Sequence, residues 1–257
     1  MTFLNVLILS LVEGVTEFLP ISSTGHLIVV SRFLNLESTT FLTSFNLAIQ
    51  LGAIGAVVVL YGRRLLRDKD LWKKVLVAFV PTGVIGLTLY KFIKGYLLGS
   101  VGVTAWALGL GGLGIILFEM WYKRHPKVRD DLKHLTYKQA WYLGLAQSVS
   151  IIPGVSRAGA TILGGLALGL PRALVVEFSF LLAIPTLTAA VGYDLYKSAG
   201  VFSVGDWDWL FLGFIFSFAA AWVTIKWLLN FIKTHDFTVF GSYRVLIALL
   251  IWWLLLS

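Results

Sequence analysis

Six apolar runs of membrane-spanning length constrain this chain more than any other feature. Residues 41–61, 75–92, 101–121, 173–193, 207–229 and 239–256 each approach the roughly 20 residues an α-helix needs to cross a hydrocarbon core. A mean hydropathy of +0.86 and a charged fraction of 13%, against about 25% in ordinary soluble domains, agree with that pattern. A transmembrane β-barrel would instead show alternating segments of about ten residues. The expectation is an all-α polytopic membrane protein, with residues 1–257 forming a single membrane domain.

The net charge of +8 invites a nucleic-acid reading, but its distribution argues against one. Twelve of the 21 basic residues fall in two loops. Arg63, Arg64, Arg67, Lys69, Lys73 and Lys74 form the first, and Lys123, Arg124, Lys127, Arg129, Lys133 and Lys138 the second. Basic residues packed into short loops are topology signals that mark the cytoplasmic side. Asp194, Asp206 and Asp208 against Lys197 suit the outer side, and Lys226, Lys233 and Arg244 the inner one. Cysteine is absent, so neither a disulfide nor a thiolate site is available. No Lys or Arg precedes the first apolar stretch, and Glu13 and Glu17 interrupt it, which is unlike a signal peptide.

Two polar segments stand out against this background: Glu13-Gly-Val-Thr-Glu-Phe-Leu-Pro-Ile-Ser-Ser-Thr-Gly-His26 and Gln147-Ser-Val-Ser-Ile-Ile-Pro-Gly-Val-Ser-Arg-Ala-Gly-Ala-Thr161. Pro20 and Pro153 are 133 positions apart, and Ser23 and Ser156, then Phe45 and Phe178, keep the same offset. The pattern predicts a duplicated unit: repeat 1 over 1–122, repeat 2 over 137–257, and a basic cytoplasmic linker over 123–136. Each repeat would consist of a re-entrant helical hairpin, at 2–36 and 137–170, followed by three transmembrane helices. The loop charges give the halves opposite orientation, and inverted repeats with broken helices place a shared site near the bilayer midplane. If 2–36 formed two tilted spans instead, that relation would reverse.

The residue types at the two breaks indicate what such a site can hold. Glu13 and Glu17, four apart, share one helical face. Two carboxylates side by side in an apolar medium need a proton or a cation between them, and Mg²⁺ or Ca²⁺ suits oxygen ligands. The plainer reading has the pair facing a water-filled vestibule. Pro20 ends the first half-helix, and Ser22, Ser23 and Thr24 suit the cap of the next. Free N–H groups at such a helix start attract anions. His26 in its first turn is a candidate nucleophile or proton carrier beside Glu17 and the hydroxyls; a lone histidine is otherwise usually structural. In the second break, Gly154 and Ser156 flank the turn, and Arg157 has no acidic residue within fifteen positions. It needs a phosphate ligand or a structural partner such as Glu13 or Glu17; Ser156 and Thr161 would add hydrogen bonds to a ligand. Two helix starts, one Arg, several hydroxyls, two carboxylates and a His suit a phosphate or pyrophosphate better than a sugar or an alkali cation. The six glycines Gly99, Gly102, Gly109, Gly111, Gly112 and Gly114 are read as helix packing and the ten Trp as interfacial anchors.

These two motifs resemble those of the bacterial undecaprenyl-pyrophosphate phosphatases, also called bacitracin-resistance proteins, and the resemblance covers essentially the whole chain. One departure is Ala158, where the family commonly carries Ser after the Arg. The resemblance implies hydrolysis of a polyprenyl pyrophosphate lipid to the monophosphate, recycling the carrier for peptidoglycan synthesis. It also implies dependence on a divalent metal ion and a site open to the outer face of the bacterial cytoplasmic membrane. By motif, Glu13 and Glu17 match the acidic pair, Ser23 and His26 the reactive tip, and Arg157 the phosphate clamp. Attack on the terminal phosphorus by His26, by Ser23 or by water stays open, with a Ser23–His26 pair the leading reading. Membrane lipid and the lipid substrate are the expected partners, the oligomeric state is open (a homodimer included), and no nucleic acid is expected. The rival class is a transporter of a polyprenyl phosphate or other anion, since inverted repeats with broken helices are a common transporter plan. A channel lacks any visible ring of carboxylates.

Overall fold

The computed structural model describes residues 1–37, 39–92, 96–97, 100–124, 135–198 and 206–256. Eleven α-helices account for nearly all of these residues, and no strand occurs among them. In chain order they are α1 (Phe3–Thr16), α2 (Ser23–Phe33), α3 (Thr40–Ala48), α4 (Gln50–Arg67), α5 (Lys69–Phe92), α6 (Val101–Arg124), α7 (Tyr137–Ser148), α8 (Arg157–Ala167), α9 (Arg172–Ser198), α10 (Asp206–Phe231) and α11 (Thr238–Ile251).

Among the described residues, five helical stretches are long and apolar enough to cross a membrane: Thr40–Arg67, Lys69–Leu89, Val101–Arg124, Arg172–Lys197 and Asp206–Phe231. They coincide with five of the six apolar runs. The sixth run is helical from Thr238, as α11 and then a π-type turn over Trp252–Leu256. Its start is fixed by a side chain from another helix, since the Phe237 N–H donates to Glu119 on α6 at 3.1 Å. The burial pattern is that of a protein solvated by lipid. Leu87, Leu110, Phe211, Val223 and Leu246 are exposed, while Glu13, Glu119, Arg157 and Arg244 are buried. The chain is a multi-pass membrane protein.

Helix partners are exchanged between the two halves. α1 packs on α10 and α7 on α5, α4 lies against α9, and α6 lies against α11. The tightest approaches use glycine. A Cβ on Gly112 would stand 2.7 Å from the Gly241 carbonyl and 2.9 Å from the Arg244 Cβ, so α6 and α11 meet at backbone distance there. Phe45 and Phe178, the pair that kept the 133-residue offset, are both buried in the core.

One end of the bundle collects the basic loops. Arg64 pairs with Glu177 of α9 at 2.8 Å, Lys74 with Asp70 at 2.5 Å, and the Tyr137 hydroxyl donates to Asp70 at 2.5 Å. A 240 Å³ cavity between them is lined by Arg64, Asp70, Lys74, Leu135 and Glu177 among others. At the same end, by its chain connections, Arg172 clasps the buried Glu119 with both terminal nitrogens, and Lys123 meets Asp236 at 2.6 Å. The middle of the second basic loop, with Lys127, Arg129 and Lys133, lies outside the described residues. So do Gly99 and residues 199–205, between Lys197 and Asp206.

Candidate active site

Each half contains a helix broken by an elbow. In the first, α1 ends at Thr16, and the Glu17 N–H closes the last helical bond on the Glu13 carbonyl at 2.9 Å. The two glutamates therefore sit one turn apart, as their spacing predicts. Residues 17–22 then turn sharply. Ile21 N–H reaches back only to Leu19 at 2.7 Å, and Ser22 stands in the left-handed region at φ 71°. Pro20 has no N–H to continue the ladder, and α2 restarts at Ser23. In the second elbow, α7 tightens into a 3₁₀ turn at Val149–Ile151, Pro153 and Gly154 (φ 94°) reverse the chain, and α8 starts at Arg157.

The elbows touch. Ser156 Oγ donates to the Leu19 carbonyl at 3.3 Å and accepts from Gly159 N–H at 3.0 Å. A Cβ on Gly159 would lie 3.5 Å from the Pro20 Cβ. Across this contact Arg157 Nε meets Glu17 Oε1 at 3.3 Å, and Arg157 Nη1 donates to the Ser179 carbonyl on α9 at 2.8 Å. Ser23 Oγ donates to the other Glu17 oxygen at 2.5 Å. Arg157, Glu17 and Ser23 thus form one buried chain linking the elbows. Arg157, without an acidic neighbour in sequence, finds its carboxylate 140 positions away.

Two members of this cluster are incompletely partnered. Among the described residues, the fully buried Glu13 carboxyl has no N–H or hydroxyl donor and lies within hydrogen-bonding reach of the Glu17 carboxyl alone, and Arg157 Nη2 has no acceptor. Glu13 feels both Glu17 and Arg157 electrostatically, so these groups share one low-dielectric space. A buried polar group without a partner costs roughly 1–3 kcal/mol, more if charged. Arg157, although paired with Glu17 through Nε, thus keeps one terminal nitrogen free, and the Glu13 carboxyl lies beside the same Glu17.

The other expected site residues fall into place differently. His26 is buried, but its ring faces neither Ser23 nor Glu17. Nδ1 meets the Ser22 carbonyl at 2.7 Å, and Nε2 meets the Tyr243 hydroxyl at 2.8 Å with the two rings stacked. A carbonyl only accepts, so Nδ1 carries a proton and a neutral ring leaves Nε2 to accept from Tyr243. The expected Ser23–His26 pair is replaced by a Ser23–Glu17 pair. Ser22 precedes α2 but its side chain makes no capping bond, and Thr24 is exposed. The Thr161 hydroxyl back-bonds to the Arg157 carbonyl at 3.0 Å, and the Gly154 carbonyl accepts from Arg244 at 3.0 Å.

Arg244 departs furthest from the sequence reading, which grouped it with inner-face basic residues. It is 1% exposed and sits two turns into α11. Its guanidinium donates to four carbonyls: Leu108 at 3.3 Å, Ala107 at 3.0 Å, Pro20 at 3.2 Å and Gly154 at 3.0 Å. Broken helices expose carbonyls, and a cation that saturates them needs no carboxylate.

The fold and the cluster together define a multi-pass helical membrane protein with a buried acid–hydroxyl–guanidinium site between two helix breaks. The sequence matches the bacitracin resistance protein BacA family over residues 6–250, and the chain belongs to that family. It is 50% identical over 249 residues to the undecaprenyl-diphosphatase of Aquifex aeolicus, covering 97% of each chain. It is 46% identical over 250 residues to that of a Sulfurihydrogenibium species, covering 97% of this chain and 98% of the relative. With the undecaprenyl-diphosphatase of Thermus thermophilus the identity is 49% over 245 residues, 94% of this chain and 93% of the relative.

Proposed function

We propose that this protein hydrolyses undecaprenyl pyrophosphate to undecaprenyl phosphate and inorganic phosphate, as an integral-membrane phosphatase. Family membership and full-length relatives bearing that activity in their names carry the reading, and a transporter is not favoured. Within the molecule, the observation that supports the site assignment is the free Arg157 Nη2 and the Glu13 carboxyl, both beside Glu17.

The pyrophosphate enters between the elbows while its polyprenyl tail stays against apolar helix surfaces. Arg157 Nη2 and the uncapped N–H groups at the start of α2 bind the non-bridging oxygens where charge accumulates. Glu17, which accepts the Ser23 hydroxyl hydrogen bond with an O–O distance of 2.5 Å, is the general base. Ser23 Oγ attacks the terminal phosphorus in line, its proton passes to Glu17, and the bond from that phosphorus to the bridging oxygen breaks. Undecaprenyl phosphate leaves with the electron pair, and Glu17 returns the proton to it. Water then attacks the phosphoserine and gives a proton to Glu17, the phosphorus–Oγ bond breaks, and Glu17 passes that proton to the departing Ser23 Oγ, which releases phosphate and restores Ser23 and the base. His26 holds the Ser22 carbonyl and so the turn that presents Ser23.

A divalent cation fits the donor set. The Glu13 oxygens face only the Glu17 carboxyl, whereas both Glu17 oxygens already hold Ser23 and Arg157, so Glu13 would be the principal ligand and Glu17 the secondary one. No group of three or more acidic, His or Cys side chains gathers among the described residues. The remaining ligands are then phosphate oxygens and water, the usual arrangement for Mg²⁺. When bound, the cation supplies Lewis-acid neutralisation of phosphate charge.

We read the two halves as inverted repeats with re-entrant hairpins at 2–36 and 137–170, in the cytoplasmic membrane, with the site open to the outer face. The exchanged packing of α1 on α10 and α7 on α5, and the basic residues gathered at one end, support this. The test is phosphate release by purified protein in detergent with Mg²⁺ or Ca²⁺ and a polyprenyl pyrophosphate. Detergent removes any transport gradient, so hydrolysis there supports the enzyme. Silence there, with substrate movement in sealed vesicles, would establish a carrier. Acid-stable phosphate trapped on Ser23 supports the covalent route; no adduct with normal turnover would leave water as the attacking group.

A further inference from the structure

Nothing in the mechanism uses Arg244, yet it is among the largest fully buried side chains in the molecule. Its contacts are unusual in kind. No carboxylate pairs with it; all four hydrogen bonds go to main-chain carbonyls, on three separate stretches of chain. Pro20 belongs to the first elbow, Gly154 to the second, and Ala107 and Leu108 to α6. The Pro20 and Gly154 bonds come from different terminal nitrogens, so the rigid fork spans the gap between the elbows. The site assembles across that gap, because Glu17 and Ser23 lie on one side and Arg157 on the other.

We propose that Arg244 is a positioning residue that sets the spacing of the two elbows and thereby brings the Arg157 guanidinium into register with Glu17 and Ser23. It touches no reacting atom. Its own seat is shaped for it: a Cβ on Gly111 of α6 would overlap the Arg244 Nη2 nitrogen, the one that reaches Gly154. The neighbouring Tyr243 holds His26 Nε2 at 2.8 Å, so adjacent residues of α11 brace the turn before Ser23 and the contact between the elbows. Lysine cannot replace this function. Its single ammonium carries the same charge but does not reach two carbonyls on opposite sides with fixed geometry.

The inference rests on the reading of the elbows as one active site, and the experiment separates the two. Arg244→Met, Arg244→Lys and Gly111→Ala are purified in detergent and assayed for thermal unfolding, kcat and KM. Gly111→Ala displaces the fork without removing the charge, so it remains informative if an Arg244 variant fails to fold. The chain has no native cysteine, so spin labels at Val15 and Val149, both exposed, report the distance across the elbows in each variant. The expected result is a broadened or shifted distance with kcat, per folded molecule, lowered roughly 10²-fold and KM changed by less than about threefold. Arg244→Lys should restore folding more than turnover. An unchanged distance in Gly111→Ala, or wild-type kcat in Arg244→Lys, would overturn the proposal. If the parent protein is itself inactive, the functional reading fails while the distance measurement still tests the clamp.

Discussion

At the first elbow the left-handed backbone position is a serine, Ser22 at φ 71°; at the second it is a glycine, Gly154 at φ 94°. The helix that follows the first elbow starts without a side-chain cap, whereas Ser156 caps the second through Gly159 N–H at 3.0 Å. The first carries the buried Glu13 and the Ser23 hydroxyl poised on Glu17, and the second carries the cation. A strained residue costs about 1–3 kcal/mol, and a missing cap about 1 kcal/mol. Both costs fall on the side that holds the base and the hydroxyl. The second elbow uses conventional turn chemistry and serves as the support against which the first is held. On the proposed function, the two elbows divide the labour between reactivity and rigidity.

The largest effect that would break this comparison is at the ion pair between the elbows. Arg157→Ala should lower kcat by about 10²–10³-fold and raise KM, as expected for a lost electrostatic donor, while the protein still inserts. Steady-state phosphate release measures both, and near-normal kinetics would remove Arg157 from the site. The equivalent serines come next. Ser23→Ala should cost on the order of 10²-fold in turnover with little change in thermal midpoint. Ser156→Ala should do the reverse, losing about 1 kcal/mol of stability with turnover within roughly tenfold. Equal outcomes for the two serines would erase the division of labour. Glu13→Gln keeps the shape but halves the acidic pair. It should raise the metal concentration for half-maximal rate by roughly tenfold or more, read by titrating Mg²⁺ into chelator-treated protein.

Much of this was legible in the sequence because it rests on local signals. Pro20 and Pro153 mark the breaks, the four-residue spacing puts Glu13 and Glu17 on one face, and the 133-residue offset pairs the elbows. The sequence left Arg157 either a phosphate ligand or a structural carboxylate, Glu13 or Glu17, and it meets Glu17 at 3.3 Å. Arg244 was misread because its partners are carbonyls, which every residue has and no sequence pattern flags. Tyr243 reaches His26 from 217 positions away through a turn with no shared motif, so the Ser23–His26 pairing could not be tested against it.

The backbone positions give the smaller predictions. Gly154→Ala should destabilise by about 2 kcal/mol or more. The left-handed φ disfavours a side chain, and the new Cβ would stand 2.5 Å from the Thr104 carbonyl. Thermal unfolding in detergent measures the loss, and Arg157 should shift with the turn, so turnover falls too.

Ser22→Gly carries the smallest expected effect and the sharpest meaning. Glycine adopts positive φ at no steric cost, so the strain at Ser22 is relieved, while the unfolded chain gains freedom worth roughly 0.5–1 kcal/mol against it. The two terms nearly cancel, and the thermal midpoint should rise slightly or stay put. Turnover should nevertheless fall a few-fold, because the Ser22 carbonyl that His26 holds at 2.7 Å then belongs to a looser turn and Ser23 is less tightly aimed at Glu17. A variant that is equally stable and slower would mean the serine is kept for geometry at a cost in strain. A variant that is both more stable and fully active would mean the strain serves nothing, and the first elbow would then differ from the second only in charge.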